Sequence, residues 1–236
     1  MKIVLHRANT RGGGNHGWLT TRHSFSFADW YDPTRMGFGK LRVINDDVIA
    51  GSAGFGAHSH SNMEIITIVT SGTVTHTDSM GNKFEVPAGD VQVMSAGIGI
   101  THSEENASQD ESLSLFQIWI ETNKQNSKPN YAQKAFHLAK SAPGITLLVN
   151  ESGQEGALPI QQDAYISYVA VDGTNPISYS LRSQQHGIYI FVIEGDVSVV
   201  GTELGARDGL GLNDIDSISF SSKSGSSLIL IEVPMH

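Results

Sequence analysis

His58-Ser59-His60, and further along His102-Ser103-Glu104, are two triplets with ligand-type side chains at i and i+2. In a β-strand those two positions project from one face, so each triplet aims both side chains at one point. Two such strands facing each other would surround a cation with three imidazoles and a carboxylate. That donor set suits a divalent transition metal and leaves positions open for substrate. The fourth ligand stays open at this point. Glu64 shares parity with His58 and His60, and Glu104 shares it with His102. Ser61-Asn62 reads as a bulge that would turn Glu64 away, leaving it to orient a ligand imidazole by a hydrogen bond.

The other histidines read more plainly. His76, on the alternating face Val74-His76-Asp78, reads as structural or exposed, and His23, in the alternating run Arg22 to Phe27, as a packing residue. Phe55, Met94, Phe116 and Trp119 are candidates for the wall of a pocket for a planar ligand, against a default of core packing. Gln117 lies in a strand that could pass near such a metal, with its amide then placed to hydrogen-bond there.

The elements that must hold these residues are strands. Ile65 to Val69, Val91 to Met94, Leu115 to Ile120, Tyr165 to Val171, Ile188 to Ile193 and Leu228 to Val233 are short, β-branched or aromatic, and bounded by turn signals. The pattern predicts an all-β protein of sandwich or barrel domains. Tyr131 to Lys140, with its Ala and Lys, is the one helix expected. The polar, aperiodic run Glu121 to Pro129 reads as a linker.

Either side of it the chain repeats itself. Ile68 to Val74 has a counterpart in Phe191 to Val197, and Gly89-Asp90-Val91 has one in Asn213-Asp214-Ile215, at offsets of 123 and 124. On that alignment positions 58, 60, 64, 102 and 104 map to Leu181, Ser183, Gly187, Ser226 and Leu228. The second half would then keep the architecture and lack the metal.

Composition narrows the task. Twenty-four acidic residues against 15 basic give a net charge of −9, which argues against phosphate-backbone binding and so against a nucleic-acid partner. With no cysteine, thiolate ligands and disulfides are excluded. Met1 to His6 lacks the apolar core of a signal peptide, and no run reaches the ~18 apolar residues of a membrane helix. The expectation is a soluble, cytoplasmic protein without a membrane partner; no feature marks a protein partner.

Gly81-x5-Pro87-x-Gly89, with His58-x-His60-x3-Glu64 before it, resembles the two-motif signature of the cupin superfamily. The second cupin motif carries a metal-binding His three residues after its second Gly; here that position is Gln92 and the His comes later, at 102. This departure is characteristic of pirin-like proteins. Their signature is similar to Arg22-His23-Ser24-Phe25-Ser26-Phe27-Ala28, Tyr31-Asp32-Pro33, Met36-Gly37-Phe38-Gly39, Met63-Glu64-Ile65-Ile66, Gln92 to Gly97 and Ile100 to Glu104. The likeness is dense over residues 15–120, looser beyond, and close to the bacterial pirins called quercetin 2,3-dioxygenases.

The resemblance implies a bicupin, two β-barrel or jelly-roll domains with short helical connections. Residues 1–122 would form the metal-binding cupin domain and residues 130–236 a cupin-like domain without ligands. It implies one divalent transition metal, Fe(II) first, with Mn, Ni, Cu or Zn as alternatives, on His58, His60, His102 and Glu104, and so favours Glu104 over Glu64. The implied partners are a small planar aromatic substrate and O2. The implied reaction opens the central ring of a flavonol such as quercetin and releases carbon monoxide, with Glu104 as the proton acceptor and Glu64 as the alternative base. The rival within the same family is a metal-dependent, redox-sensing binding or regulatory protein without physiological flavonol turnover.

Overall fold

The computed structural model describes residues 1–138, 142–173 and 175–236. Among them the chain is all-β: two seven-stranded sheets and two four-stranded sheets, arranged as a bicupin in which each large sheet serves one barrel. The one helical segment lying wholly among the described residues is a 3-10 turn at Ala8–Thr10, so the expected short helical connections are reduced there to that.

The longest apolar runs form the strands of the large sheets because those sheets are covered on both faces. In His186–Glu194, Tyr189, Phe191 and Ile193 enter the core shared by the two barrels, while Ile188, Ile190 and Val192 fill the second barrel. Leu113–Glu121 behaves alike, with Phe116, Ile118 and Ile120 in the shared core and Leu113 and Leu115 inside the first barrel. The two large sheets therefore lie back to back. Phe38 plugs that interface: its ring occupies the space where a Cβ on Gly187 or Gly211 would sit, 2.8 and 2.6 Å from the nearest ring atoms.

Three expectations change. Tyr131 to Lys140 is not a helix in its described part: Asn130–Ala135 is a strand paired antiparallel with Asp90–Ser95, and residues 139–141 lie outside the described residues. Its Tyr131 ring stacks on Phe84 and His76 while Ala132 packs into the shared core. That period-2 arrangement overrides the helical composition.

The sheets also draw on chain from both sides of the linker. Lys2–His6 pairs with Gly209–Asn213 of the second barrel, and Asn130–Ala135 completes the large sheet of the first.

The repeat, finally, slips. Gly72 and Gly195 make the same left-handed turn, at φ 77° and 78°. Beyond it the Gly89 N–H donates to Val69 and the Arg207 N–H to Val192, so Gly89 answers to Arg207 rather than to Asn213. The second half has shorter loops. Glu104 faces His76 where Phe220 faces Val199, and His102 faces His58 where Ile218 faces Tyr179. The places of His58, His60, His102 and Glu104 are thus taken by Tyr179, Leu181, Ile218 and Phe220, all packed in the second core.

Candidate metal centre

The histidine-bearing strands, Gly54–His60 and Ile100–Asn106, are not on facing walls; they are hydrogen-bonded neighbours in one four-stranded sheet. His58 and His102 are direct antiparallel partners, with His60 opposite Ile100. Ring centroids of His58 and His102 lie 4.4 Å apart, those of His58 and His60 4.9 Å, and those of His60 and His102 5.0 Å. One ring nitrogen from each of the three can be chosen so that all lie within 4.8 Å of one another. A bulge after His102 shifts the register, so Glu104 pairs across the sheet with His76 on one side and Phe55 on the other.

These residues fit a bound cation. His102 is buried, yet neither of its ring nitrogens has a hydrogen-bond partner. Such a group is costly unless something takes its lone pair. His58 Nδ1 lies 2.8 Å from the Gly56 carbonyl oxygen; that oxygen only accepts, so Nδ1 carries the proton and Nε2 presents its lone pair. Burial holds His60 down at about 4 and His102 at about 3, so both imidazoles are neutral at physiological pH, the form a metal takes.

Glu104 is held from the facing large sheet. Its Oε1 accepts from Gln92 Nε2 at 2.5 Å and from the Thr67 hydroxyl at 3.2 Å, and its Oε2 accepts from Gln117 Nε2 at 2.7 Å. Trp119 Nε1–H in turn fixes Gln117 through its Oε1 at 2.9 Å. Burial raises the Glu104 carboxyl, and the nearby histidines and hydrogen-bond donors oppose that shift. A cation beside it would hold the charged form. Gln92, standing where the second cupin motif has its His, is thus a donor to the carboxylate. Thr67 and Gln92 carry no ligand signal of their own in the sequence; the displaced motif position is the one clue to Gln92.

His76 is fully buried, its Nε2 3.3 Å from Asp78 and its ring stacked 4.6 Å from Tyr131. With His102 and Glu104 it forms a second group whose ligand atoms fall within 4.8 Å, a proximity the alternating pattern alone did not convey. Glu64 is elsewhere. Asn62, at φ 50°, turns the chain between sheets, and Glu64 then points to the face opposite Thr67, where it accepts from the Ser95 hydroxyl at 2.5 Å.

A cavity of about 270 Å³ opens on the cluster, its lining including His58, His60, Glu104, Phe27, Phe55 and Trp119. Met94 and Phe116 lie in cores instead. His23 packs edge-on against Phe27 and also faces the cavity.

Residues 5–120 match the Pirin family model, and residues 147–233 match the model described as the quercetinase C-terminal cupin domain. The chain is 43% identical to a quercetin 2,3-dioxygenase of Escherichia coli K12 over 98% of its own length and 99% of that protein's. It is also 43% identical to a pirin-like protein of Caulobacter vibrioides, covering 94% and 95% of the two chains. The crystal structure of the bacterial pirin YhhW of Escherichia coli in complex with nickel(II) superposes with a TM-score of 0.93 at 42% identity, over 99% of both chains. Two triplets on paired strands, a carboxylate tied from the facing sheet and likeness over nearly the whole length all lead to one assignment: the chain belongs to the pirin family of the cupin superfamily.

Proposed function

We propose that this protein is a metal-dependent dioxygenase that opens the central ring of a flavonol such as quercetin with O2 and releases carbon monoxide. The observation that carries this reading is the cluster of His58, His60 and His102 with the tethered Glu104, set beside a cavity with aromatic walls that His58, His60 and Glu104 line. His58, His60, His102 and Glu104 would hold the metal, Fe(II) in our reading, and the metal when bound supplies Lewis acidity that acidifies a coordinated hydroxyl.

The chain's own residues do the rest. Glu104 takes the proton of the flavonol 3-hydroxyl on a carboxylate oxygen, since it faces the cavity and is kept in place by Gln92, Thr67 and Gln117. Gln117, pinned by Trp119, keeps Oε2 aimed while that proton arrives. Phe27, Phe55 and Trp119 stack on a planar ligand and exclude water from the electron-rich anion. Glu64 has no part in this, being on the other face of its strand. A cytoplasmic location accords with this reading; among the described residues no helix is long and apolar enough to cross a membrane.

The test is anaerobically purified protein loaded in turn with iron, manganese, nickel and copper, mixed with quercetin and then O2. Loss of the flavonol absorption band with stoichiometric carbon monoxide is the expected result. Absence of turnover with all four metals would overturn it and leave a metal-dependent binding protein.

A further inference from the structure

The cavity has a second wall that the metal chemistry does not use. Thr21 and His23 on the strand Leu19–His23 lie directly opposite Asp47 and Asn45 on the strand Leu41–Ile49. All four are at least nine-tenths buried and all four line the cavity that holds His58, His60 and Glu104. The Asn45–His23 row continues the one that carries Gln117, because Asn45 pairs with Gln117 across the next ladder.

Burying four polar side chains on one inner face is expensive unless their hydrogen-bonding capacity is met. Here it is met only in part. Thr21 Oγ1 and His23 Nε2 bond each other at 2.9 Å. Asn45 Oδ1, Asp47 Oδ1 and His23 Nδ1 are buried without a partner. Asn45 Oδ1 accepts only, Asp47 Oδ1 accepts once its carboxyl is ionised, and Nδ1 of His23, an imidazole that burial keeps neutral, donates or accepts according to the tautomer that the Thr21 hydroxyl selects. Two acceptor oxygens on this wall wait for donors. A phenolic ring supplies hydroxyl donors in one plane, and the aromatic residues of the same cavity suit its faces.

We propose that Asn45 and Asp47, with His23 beside them, form a polar subsite that accepts the hydroxyls of a phenolic ring, reading the ligand's ring-hydroxylation pattern while its other end meets the histidines. This rests on the flavonol reading above and adds to it: the subsite sets which flavonols are taken, by hydrogen bonds remote from the reacting carbon. A phenol lacking those hydroxyls leaves the acceptors unpaired, which is the strong form of discrimination.

The experiment measures binding to metal-loaded protein under nitrogen at about pH 8, above the value of about 7 to which burial lifts Asp47. Quercetin, 3-hydroxyflavone and quercetin methylated on its ring hydroxyls but free at position 3 share the metal-facing end. Wild type is expected to prefer quercetin over either by about tenfold or more. The double variant Asn45→Leu, Asp47→Leu is expected to lose that preference. Asp47→Asn, milder for folding, exchanges an acceptor oxygen for a donor and is expected to move the preference toward the methylated ligand; its metal content verifies the fold. A wild type that does not discriminate, or an Asp47→Asn protein with full metal content and unchanged preference, overturns the proposal.

Resorcinol against 1,3-dimethoxybenzene separates the two readings, because neither chelates. If no flavonol is turned over but resorcinol is preferred by wild type and not by Asp47→Asn, the dioxygenase reading falls and the subsite stands. If flavonols are turned over without any hydroxyl preference, the subsite falls and the dioxygenase stands.

Discussion

His102 carries the heaviest load of any single residue, buried with both ring nitrogens unpaired. Changing it or His58 to Ala is expected to lower bound metal by at least about tenfold, read by elemental analysis of protein purified with one metal; unchanged content would remove that residue from the site. Glu104→Gln should weaken metal binding similarly, whereas Glu64→Gln should leave it unchanged, because Glu64 is on the opposite face bonded to Ser95. Gln117→Leu frees Glu104 Oε2 and is expected to cost roughly 10–100-fold in metal affinity, measured by chelator competition. At this scale the sequence gives up the ligand-type side chains because i, i+2 spacing is local. It hides Thr67, Gln92, Asn45 and Asp47, since their relation to the site depends on which sheet faces which. Parity alone leaves Glu64 open; the left-handed Asn62 breaks the strand there and turns Glu64 away, where Ser61-Asn62 reads as a bulge.

Strands were the most legible elements, and each of the six runs marked by β-branched and aromatic residues lies inside an observed strand. Their continuous hydrophobicity, instead of alternation, is explained by burial on both faces of the large sheets. What local pattern could not convey was the strand Asn130–Ala135, whose Ala, Gln and Lys favour a helix, and the unequal loops that shift the repeat after Gly72 and Gly195. The segment Met36-Gly37-Phe38-Gly39 gains its meaning here. Phe38 is buried against Tyr189 and lies over Gly187 and Gly211 of the second barrel, so it ties the two barrels together. Phe38→Ala is expected to destabilise the protein by about 3–5 kcal/mol in denaturant unfolding, the cost of emptying such a site. Metal content of the folded variant should stay at the wild-type level.

The whole molecule responds to pH through groups that burial keeps uncharged. His6, His23 and His60 sit at about 4 and His102 at about 3, below the ~6.5 of an unfolded chain. Between those values the unfolded state binds more protons, so stability is complete above about 6.5 and is lost as pH falls toward 3. Asp47, raised to about 7, and Glu64 and Glu104, raised by burial, act with the opposite sign: their contribution is lost as pH rises through the folded values. Between about 4 and 6.5 four histidines act against three carboxyls, so metal-free protein is expected to show a denaturant midpoint that falls as pH drops below about 6.5. Replacing His102 with Leu should flatten the acid limb, and a midpoint independent of pH would contradict this account.

The exchange of outer strands between the barrels has a consequence for how the molecule comes into being. A ribosome that has released residues 1–135 has delivered every strand of the first barrel, including Asn130–Ala135. The leading segment Lys2–His6 must still wait, because its ladder partner ends at Asn213. The half that carries the histidine cluster can close early, but Lys2–His6, although made before it, is among the last segments to dock, and a polypeptide severed between the halves would leave each fragment carrying an edge that belongs to the other.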